Sequence, residues 1–156
     1  MKIKMTEKHK KIKIDDFDVW SADETLSLII LPLLKKLRKQ KQGTPATDVE
    51  DAPEPLTSTG DDDFSETRWN WILTEMIWTF EQLQPDCDWE SQYHSGKLDF
   101  KSIPIQWDKK DKPTLFLLDK GPKHTHVFNN EGWENHDNRI KNGLRLFGKY
   151  FRALWT

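Results

Sequence analysis

The sequence predicts an α+β fold that is predominantly helical, with about three main helices packed with a small antiparallel sheet or hairpins. Three long segments repeat apolar residues every three or four positions, as amphipathic helices do. The region before the last of these segments is interrupted by Pro and Gly and holds short runs typical of strands. Because 156 residues suit one ordinary domain, we expect residues 1–156 to form a single domain.

The first helix is predicted from Ser21 to about Lys41, after a lysine-rich segment whose residues 11–14 alternate polar and apolar like an edge strand. Ser21 and Glu24 have the spacing of a capping box, which marks a helix start. Pro32 lies inside the apolar pattern, so we expect it to kink the helix or to split it in two.

Residues 43–64 read as an acidic, Pro-rich loop or insertion within the single domain, since their composition changes abruptly and residues 43–63 include no Lys or Arg. A lid over a pocket is one interpretation of this insertion. Its negative charge would repel phosphates, which favours a plain solvated loop.

The second helix is predicted from about Ser65 to Gln84, and the last from about Asn130 to Leu154. The core stripe of the second helix is Trp69, Ile72, Leu73, Met76, Phe80 and Leu83. Between these two helices we expect short strands over residues 98–101, 103–107, 114–118 and 124–128, with a turn at 109–113. The N-terminal strand is a candidate to join them.

Composition excludes several classes of protein. The longest apolar run, residues 26–34, is too short to cross a bilayer, and Met1 is followed by lysines, which predicts no signal peptide. The single cysteine, Cys87, excludes a disulfide framework and suits a reducing cytosol. A net charge of −2 argues against a dedicated nucleic-acid binder.

No catalytic residues and no cofactor are predicted, because the sequence contains no GxSxG, HExxH or Gly-rich phosphate loop. Cys87 lies between two acidic residues, which raise rather than lower the pKa of a thiol. A non-enzyme is therefore favoured. No metal site is predicted either; the candidates considered are His124 and His126, which alternate along a predicted strand and so project from one face. Residues that could complete such a site are Asp99, Asp137, His94 and His136.

Aromatic and cationic residues form the candidate binding set. The second helix carries a second stripe, and the last helix carries a polar and basic stripe that could face it. Arginine binds phosphates in a bidentate fashion and Trp offers a stacking surface for a base, whereas an Arg–Glu network bracing the helices would look identical in sequence. The candidate ligand-binding residues are Arg68, Trp71, Glu75, Trp78, Asn142, Arg145 and Lys149.

Three blocks of the sequence resemble a family of small proteins of tailed bacteriophages that usually have no assigned function. They are residues 20–34 (WSADETLSLIILPLL), 68–81 (RWNWILTEMIWTFE) and 139–155 (RIKNGLRLFGKYFRALW), together 46 of 156 residues. The resemblance implies a viral protein acting in the cytoplasm of the infected host bacterium, and it supplies no catalytic residues.

Three functions from different classes compete. The first is a non-catalytic phage protein, acting against host defence, that binds and sequesters a small nucleotide-like immune signal, as phage "sponges" do. It would be a homo-oligomer, because a helix with two apolar stripes is suited to meet a partner chain. The second is a protein-binding accessory or virion-associated factor that uses the same Trp and Arg side chains at an interface. The third is a nucleotide or phosphoester hydrolase.

Overall fold

The computed structural model describes residues 2–5, 10–54, 56, 63–105 and 115–155, and confirms the predicted α+β, predominantly helical fold. The chain divides into two compact units. The first, called here the helical unit, comprises Met1–Asp88 and His136–Thr156, and the second, the small unit, comprises Trp89–Asn135. The expectation of one domain over residues 1–156 stays a prediction.

A two-stranded antiparallel ladder precedes the helices. Strand β1 (Lys2–Met5) pairs with β2 (Lys10–Lys13) in a register that sets Lys2 opposite Lys13. The strand predicted over residues 11–14 is therefore largely present. In the described part of the chain β2 pairs with β1, and it does not join the strands that follow. A five-residue helix that was not predicted, α1 (Asp16–Trp20), comes next.

Helix α2 (Ala22–Gln40) begins after Ser21 as predicted, but the capping-box prediction is wrong. Ser21 makes no side-chain cap hydrogen bond, because it is the junction between two consecutive helices and has φ −122° and ψ 69°. Thr25 instead donates its hydroxyl proton to the Asp18 carbonyl of α1, at 3.0 Å. The helix runs through Pro32 without a break, so the predicted split does not occur.

Helix α3 (Asp63–Gln82) supplies most of the core of the helical unit. Its side chains at positions 69, 72, 73 and 76 are at most 1% exposed, as the three-and-four spacing predicts for a buried helix face. The other buried members of the cluster are Leu34, Ile77, Phe80, Leu146 and Tyr150.

Ser27 joins α2 to the end of α3. Its hydroxyl is fully buried and lies 2.8 Å from the carbonyl oxygen of Leu83, the residue after α3. Carbonyls at a helix end have no intrahelical partner, so this contact satisfies one of them. Gln84 adds a second link by donating its side-chain amide to the Ser27 hydroxyl at 3.1 Å.

Helix α4 (Asn130–Lys149) starts where the sequence predicts but ends earlier than Leu154. Tyr150 leaves helical geometry at φ −99° and ψ 13°, and a short 3-10 helix (Phe151–Ala153) follows.

The described part of the small unit contains two short antiparallel ladders. Strand β4 (Phe100–Ile105) pairs with β5 (Leu115–Lys120), which merges the first two predicted strands into one and shifts the third. Strand β3 (His94–Ser95), which was not predicted, pairs with β6 (Val127–Phe128). The predicted turn at 109–113 and the end of the predicted strand 103–107 lie outside the described residues.

Gly143 allows close contact between α4 and α3. A Cβ atom at this position would lie 1.8 Å from the Thr79 hydroxyl oxygen and 2.7 Å from the Thr79 Cβ. The glycine is buried, and the hydroxyl of Thr79 is fully buried against it. A side chain at position 143 would therefore push the two helices apart.

Replacing Gly143 with Ala is expected to lower the free energy of unfolding by about 1–3 kcal/mol, because it overpacks the contact between α3 and α4. Gly148→Ala is the matched control in the same helix, since its Cβ would meet no atom within 4 Å. The control should raise stability by about 0.5–1 kcal/mol through helix propensity. Urea unfolding of both variants measures the difference; equal effects would contradict the close contact.

Candidate functional site

The acidic insertion is bound to the helical unit rather than being a plain solvated loop. Residues 47–54, called here the acidic strap, include a 3-10 helix (Val49–Asp51), and Asp51 and Ala52 are buried. The expectation of a solvated loop is therefore wrong for this part of the insertion. The physical reason is the set of donors that α4 and Tyr150 present to the strap.

Asp51 is the centre of this contact, with its side chain only 2% exposed. Its carboxylate accepts hydrogen bonds from the Tyr150 hydroxyl at 2.6 Å, from Arg145 Nη1 at 2.8 Å and from Lys149 Nζ at 2.6 Å. Lys149 Nζ also lies 2.5 Å from the carboxylate of Asp48, and the Asp48 amide donates to the Tyr150 oxygen at 2.9 Å. Two cations and a phenol thus compensate one buried anion.

These contacts shift the protonation equilibria of the groups involved. Burial opposes ionisation of Asp51, but the hydrogen bonds from Lys149, Tyr150 and Arg145 outweigh it and hold its pKa below the usual 3.8. Hydrogen bonds to Asp48 and Asp51 raise the pKa of Lys149. Burial and the hydrogen bond to Asp51 raise the pKa of Tyr150 to about 12. At neutral pH Asp51 is therefore ionised, Lys149 is protonated and the Tyr150 phenol keeps its proton.

Arg68 of α3 binds the insertion at Thr47, the first residue of the strap, and at Leu56, just after the strap. The side chain is buried, at 6% exposure, and Nε donates to the carbonyl oxygen of Leu56 at 2.9 Å. Nη1 lies 3.5 Å from the Thr47 carbonyl oxygen and 3.4 Å from the Thr47 hydroxyl. A buried guanidinium that donates to backbone carbonyls organises a loop.

Glu75 forms a second cluster with Arg139 of α4. Arg139 Nε and Nη2 donate to the two carboxylate oxygens at 2.9 and 2.7 Å, a bidentate pair. The guanidinium carbon lies 3.8 Å from the centre of the Trp78 ring, and His136 packs on the same indole at 5.0 Å. Burial and the nearby Arg139 charge lower the pKa of His136, and the hydrogen bonds that Arg139 donates to Glu75 raise the pKa of Arg139.

The structure therefore separates the predicted ligand-binding residues into different contacts. Arg145 and Lys149 meet at Asp51, and Asn142 accepts a hydrogen bond from Arg145 Nε at 3.0 Å. Trp71 is partly buried against the core. The remaining members of the set, which contact the strap or Arg139, are Arg68, Glu75 and Trp78.

Sequence reasoning missed four residues of these clusters: Asp48, Asp51, Tyr150 and Arg139. Arg139 had a usable signal, since it precedes Asn142 by three positions and Arg145 by six on the same helix. The sequence carries no such signal for Asp51, because nothing in an acidic, Pro-rich stretch distinguishes the one carboxylate that becomes buried.

The metal candidates His124 and His126 lie in the small unit. Across the described residues, no three His, Cys, Asp or Glu side chains are grouped so as to hold a metal ion. His124 and His126 precede β6 rather than lying on it, and their rings meet edge-on, with centres 6.1 Å apart and planes inclined at 74°. His126 also contacts His94, whose Nδ1 lies 2.9 Å from His126 Nε2.

An apolar groove of about 740 Å³ runs between α2 and the segment at the end of α4. Three of its apolar side chains are largely exposed: Leu33 at 60%, Phe151 at 62% and Trp155 at 55%. Exposed apolar groups that are contiguous in a concave surface mark binding sites more often than scattered ones do. The full lining is Ile30, Leu33, Leu34, Lys36, Leu37, Gln40, Phe147, Phe151, Leu154 and Trp155.

The charge at the groove is positive. Lys36 is its one ionisable lining residue among those that the structure describes, and Lys39, one turn further along α2, is also exposed. In the described part of the chain, neither lysine lies within salt-bridge distance of a carboxylate, in contrast to Lys35, which pairs with Glu81 at 2.7 Å. The groove thus combines a mostly apolar lining with the positive charge of Lys36, which has no carboxylate partner among the described residues.

No protein-family model, curated protein or solved structure matches this chain. Within the described residues, no helix is both long and apolar enough to span a bilayer.

Replacing Asp51 with Asn is expected to lower the free energy of unfolding at pH 7 by about 2–4 kcal/mol, because Arg145 and Lys149 lose their shared buried partner. The lowered pKa of Asp51 means that its contribution is present above about pH 4 and is lost as the pH falls below 3.8. Urea unfolding between pH 3 and 7 should therefore give a shallower pH dependence for Asp51→Asn than for the unmodified chain.

Asp48→Asn is the matched control for this prediction. The Asp48 carboxylate is 62% exposed, so its pair with Lys149 should contribute at most about 1 kcal/mol. Equal losses for the two variants, or parallel pH curves for Asp51→Asn and the unmodified chain, would show that Asp51 is not the centre of the contact.

Proposed function

We propose that this chain is a non-catalytic protein-binding factor that holds an amphipathic, acid-flanked helix of a partner in the groove between α2 and the end of α4. The observation that supports this proposal is the set of exposed apolar side chains that line the groove, Leu33, Phe151 and Trp155. This is the second of the functions considered from the sequence, on a different set of residues.

The exposure of the lining favours a protein over a small molecule. Small-molecule pockets enclose most of the surface of their ligand, whereas side chains that remain more than half exposed need a larger surface to cover them. The lining residues of α2 run from position 30 to 40, about 15 Å or three helical turns. A helix of similar length can lay one apolar stripe against such a groove.

The positive charge at the groove favours a partner helix that carries acidic residues. Lys36 lies in the groove and Lys39 follows it one turn later, with no carboxylate paired to either lysine among the described residues. A partner with acidic residues beside its apolar stripe would gain favourable electrostatics there, and one with basic residues would be repelled. The occupant we propose is therefore an acidic amphipathic helix.

The sequestration of a nucleotide-like molecule stays a prediction. A phosphate at Arg145 or Lys149 would have to displace the carboxylates of Asp51 and Asp48, and Arg68 is occupied by carbonyls of the insertion. The origin in a tailed bacteriophage, the action in the host cytoplasm and the assembly into homo-oligomers likewise stay predictions.

A labelled 18-residue helical peptide with one leucine stripe and glutamates beside it should bind the purified chain, and a peptide with lysines in place of the glutamates should bind at least about tenfold more weakly. Fluorescence anisotropy at low and high salt measures both affinities. Lys36→Glu should reverse the preference. If neither peptide binds, or if both bind equally to all variants, the proposal is wrong.

Leu33→Ser and Phe151→Ser should each lower the affinity for the acidic peptide about tenfold or more. The chain should stay folded, because both side chains are already largely exposed. Phe17→Ser is the matched control, since Phe17 is 86% exposed and does not line the groove. Sedimentation of the unmodified chain would show a concentration-dependent dimer, lost in Leu33→Ser, if a second copy occupied the groove instead.

The melting temperature of the chain should not rise with adenine nucleotides or cyclic dinucleotides, because the cations expected to bind phosphate are already paired. Thermal melting with each nucleotide in large excess tests this expectation. A rise in Tm that disappears in a folded Arg145→Ala variant would favour nucleotide sequestration over the proposed function, and recovery of a cleaved nucleotide would favour the hydrolase.

A further inference from the structure

In the small unit, a ring nitrogen of His94 faces a ring nitrogen of His126. Strand β3 begins at His94, and His126 directly precedes β6, the strand with which β3 pairs. His94 Nδ1 lies 2.9 Å from His126 Nε2, with the ring centres 5.1 Å apart and the planes inclined at only 26°. Both nitrogens carry either a proton or a lone pair, so one proton bridges them in this arrangement.

The positions of these nitrogens suit a shared metal ion. Two nitrogens bound to one ion at about 2.0–2.1 Å lie about 2.8–3.0 Å apart when the bond angle is near 90°, and about 3.3 Å apart at a tetrahedral angle. The observed 2.9 Å corresponds to the first case, which is the adjacent-ligand geometry of square-planar and octahedral ions. Each ring has to pivot so that its lone pair points to the ion.

We propose that His94 and His126 form a two-imidazole site for a divalent cation of the Cu²⁺ or Ni²⁺ type. Imidazole is a preferred ligand of these ions, and their geometry places neighbouring nitrogens at the observed separation. Because the described residues supply no third ligating side chain to the site, water completes the coordination. The ion replaces the bridging proton, which moves through water to the other nitrogen of the same ring, so that both imidazoles bind as neutral ligands and no redox step is involved.

The ring of His94 also has an aromatic contact across the ladder. His94 stacks on Phe128, its partner across the ladder, with ring centres 4.7 Å apart. The β3–β6 ladder itself spans only two residue pairs. A metal bound by His94 and His126 would therefore crosslink β3 to the segment leading into β6 where few backbone hydrogen bonds exist.

His124 lies outside the proposed site and provides a control. Its Nδ1 is 2.9 Å from the Asp99 carbonyl oxygen, and its ring packs on Phe100 with centres 5.2 Å apart. It is two positions from His126 and has the same metal-binding chemistry. A general affinity of surface histidines for metal would involve His124 as much as His126.

Isothermal titration of the untagged full chain with Ni²⁺ and with Cu²⁺ tests the proposal. One equivalent of each ion should bind to the unmodified chain, and binding should weaken at least about tenfold in His94→Gln and in His126→Gln but not in His124→Gln. Electron paramagnetic resonance of the Cu²⁺ complex should show coupling to two imidazole nitrogens, a result that does not depend on any variant being folded.

Two outcomes would overturn the assignment. One is the absence of a stoichiometric site for either ion. The other is equal weakening by His124→Gln, or binding that survives in both His94→Gln and His126→Gln, since the ions would then occupy other ligands. Neither outcome bears on the groove, so this proposal and the proposed function can fail separately.

Discussion

The buried carboxylate of Asp51 is the constraint on which the arrangement of the helical unit depends. An ionised carboxylate that leaves water loses several kcal/mol of hydration, which only well-placed donors can recover. Arg145, Lys149 and Tyr150 supply those donors from the last turns of α4 and the residue after it. The need to satisfy Asp51 therefore fixes the acidic strap against α4, and it commits two cations that would otherwise be free to bind a ligand.

Because Arg145 and Lys149 are paired with Asp51, a binding function has to be sought on another surface. The same residue types that favour phosphate binding in the sequence, Arg and Lys beside Trp, are joined in the structure by intrachain carboxylates and carbonyls. Among the described residues, the groove remains open: most of its lining is apolar, and Lys36 adds a positive charge. Surfaces of that kind gain free energy from covering apolar area, and they gain specificity from charge.

Much of the fold could be predicted from the sequence because it follows from local periodicity. The three long helices and the buried stripe of α3 follow from residues spaced three and four apart, and these predictions are confirmed within a few positions. The site could not be predicted in the same way, because its contacts join distant parts of the chain. Arg139 meets Glu75 and Tyr150 meets Asp51 across 64 and 99 positions, and no local pattern encodes which Asp of an acidic stretch is chosen.

The Asp51 contact and the groove are linked through Tyr150. Its hydroxyl is held by Asp51 and its ring packs edge-on against Trp69 in the core, at 5.7 Å between centres. The three groove residues Phe151, Leu154 and Trp155 follow within five positions, so the orientation in which the chain leaves α4 determines where they lie. Gly43, at the start of the insertion, reaches the other end of this segment, since a Cβ there would lie 3.6 Å from the Trp155 ring. The acidic insertion thus borders this segment at both ends: it anchors Tyr150 before the segment begins, and Gly43 lies beside the Trp155 ring where the segment finishes.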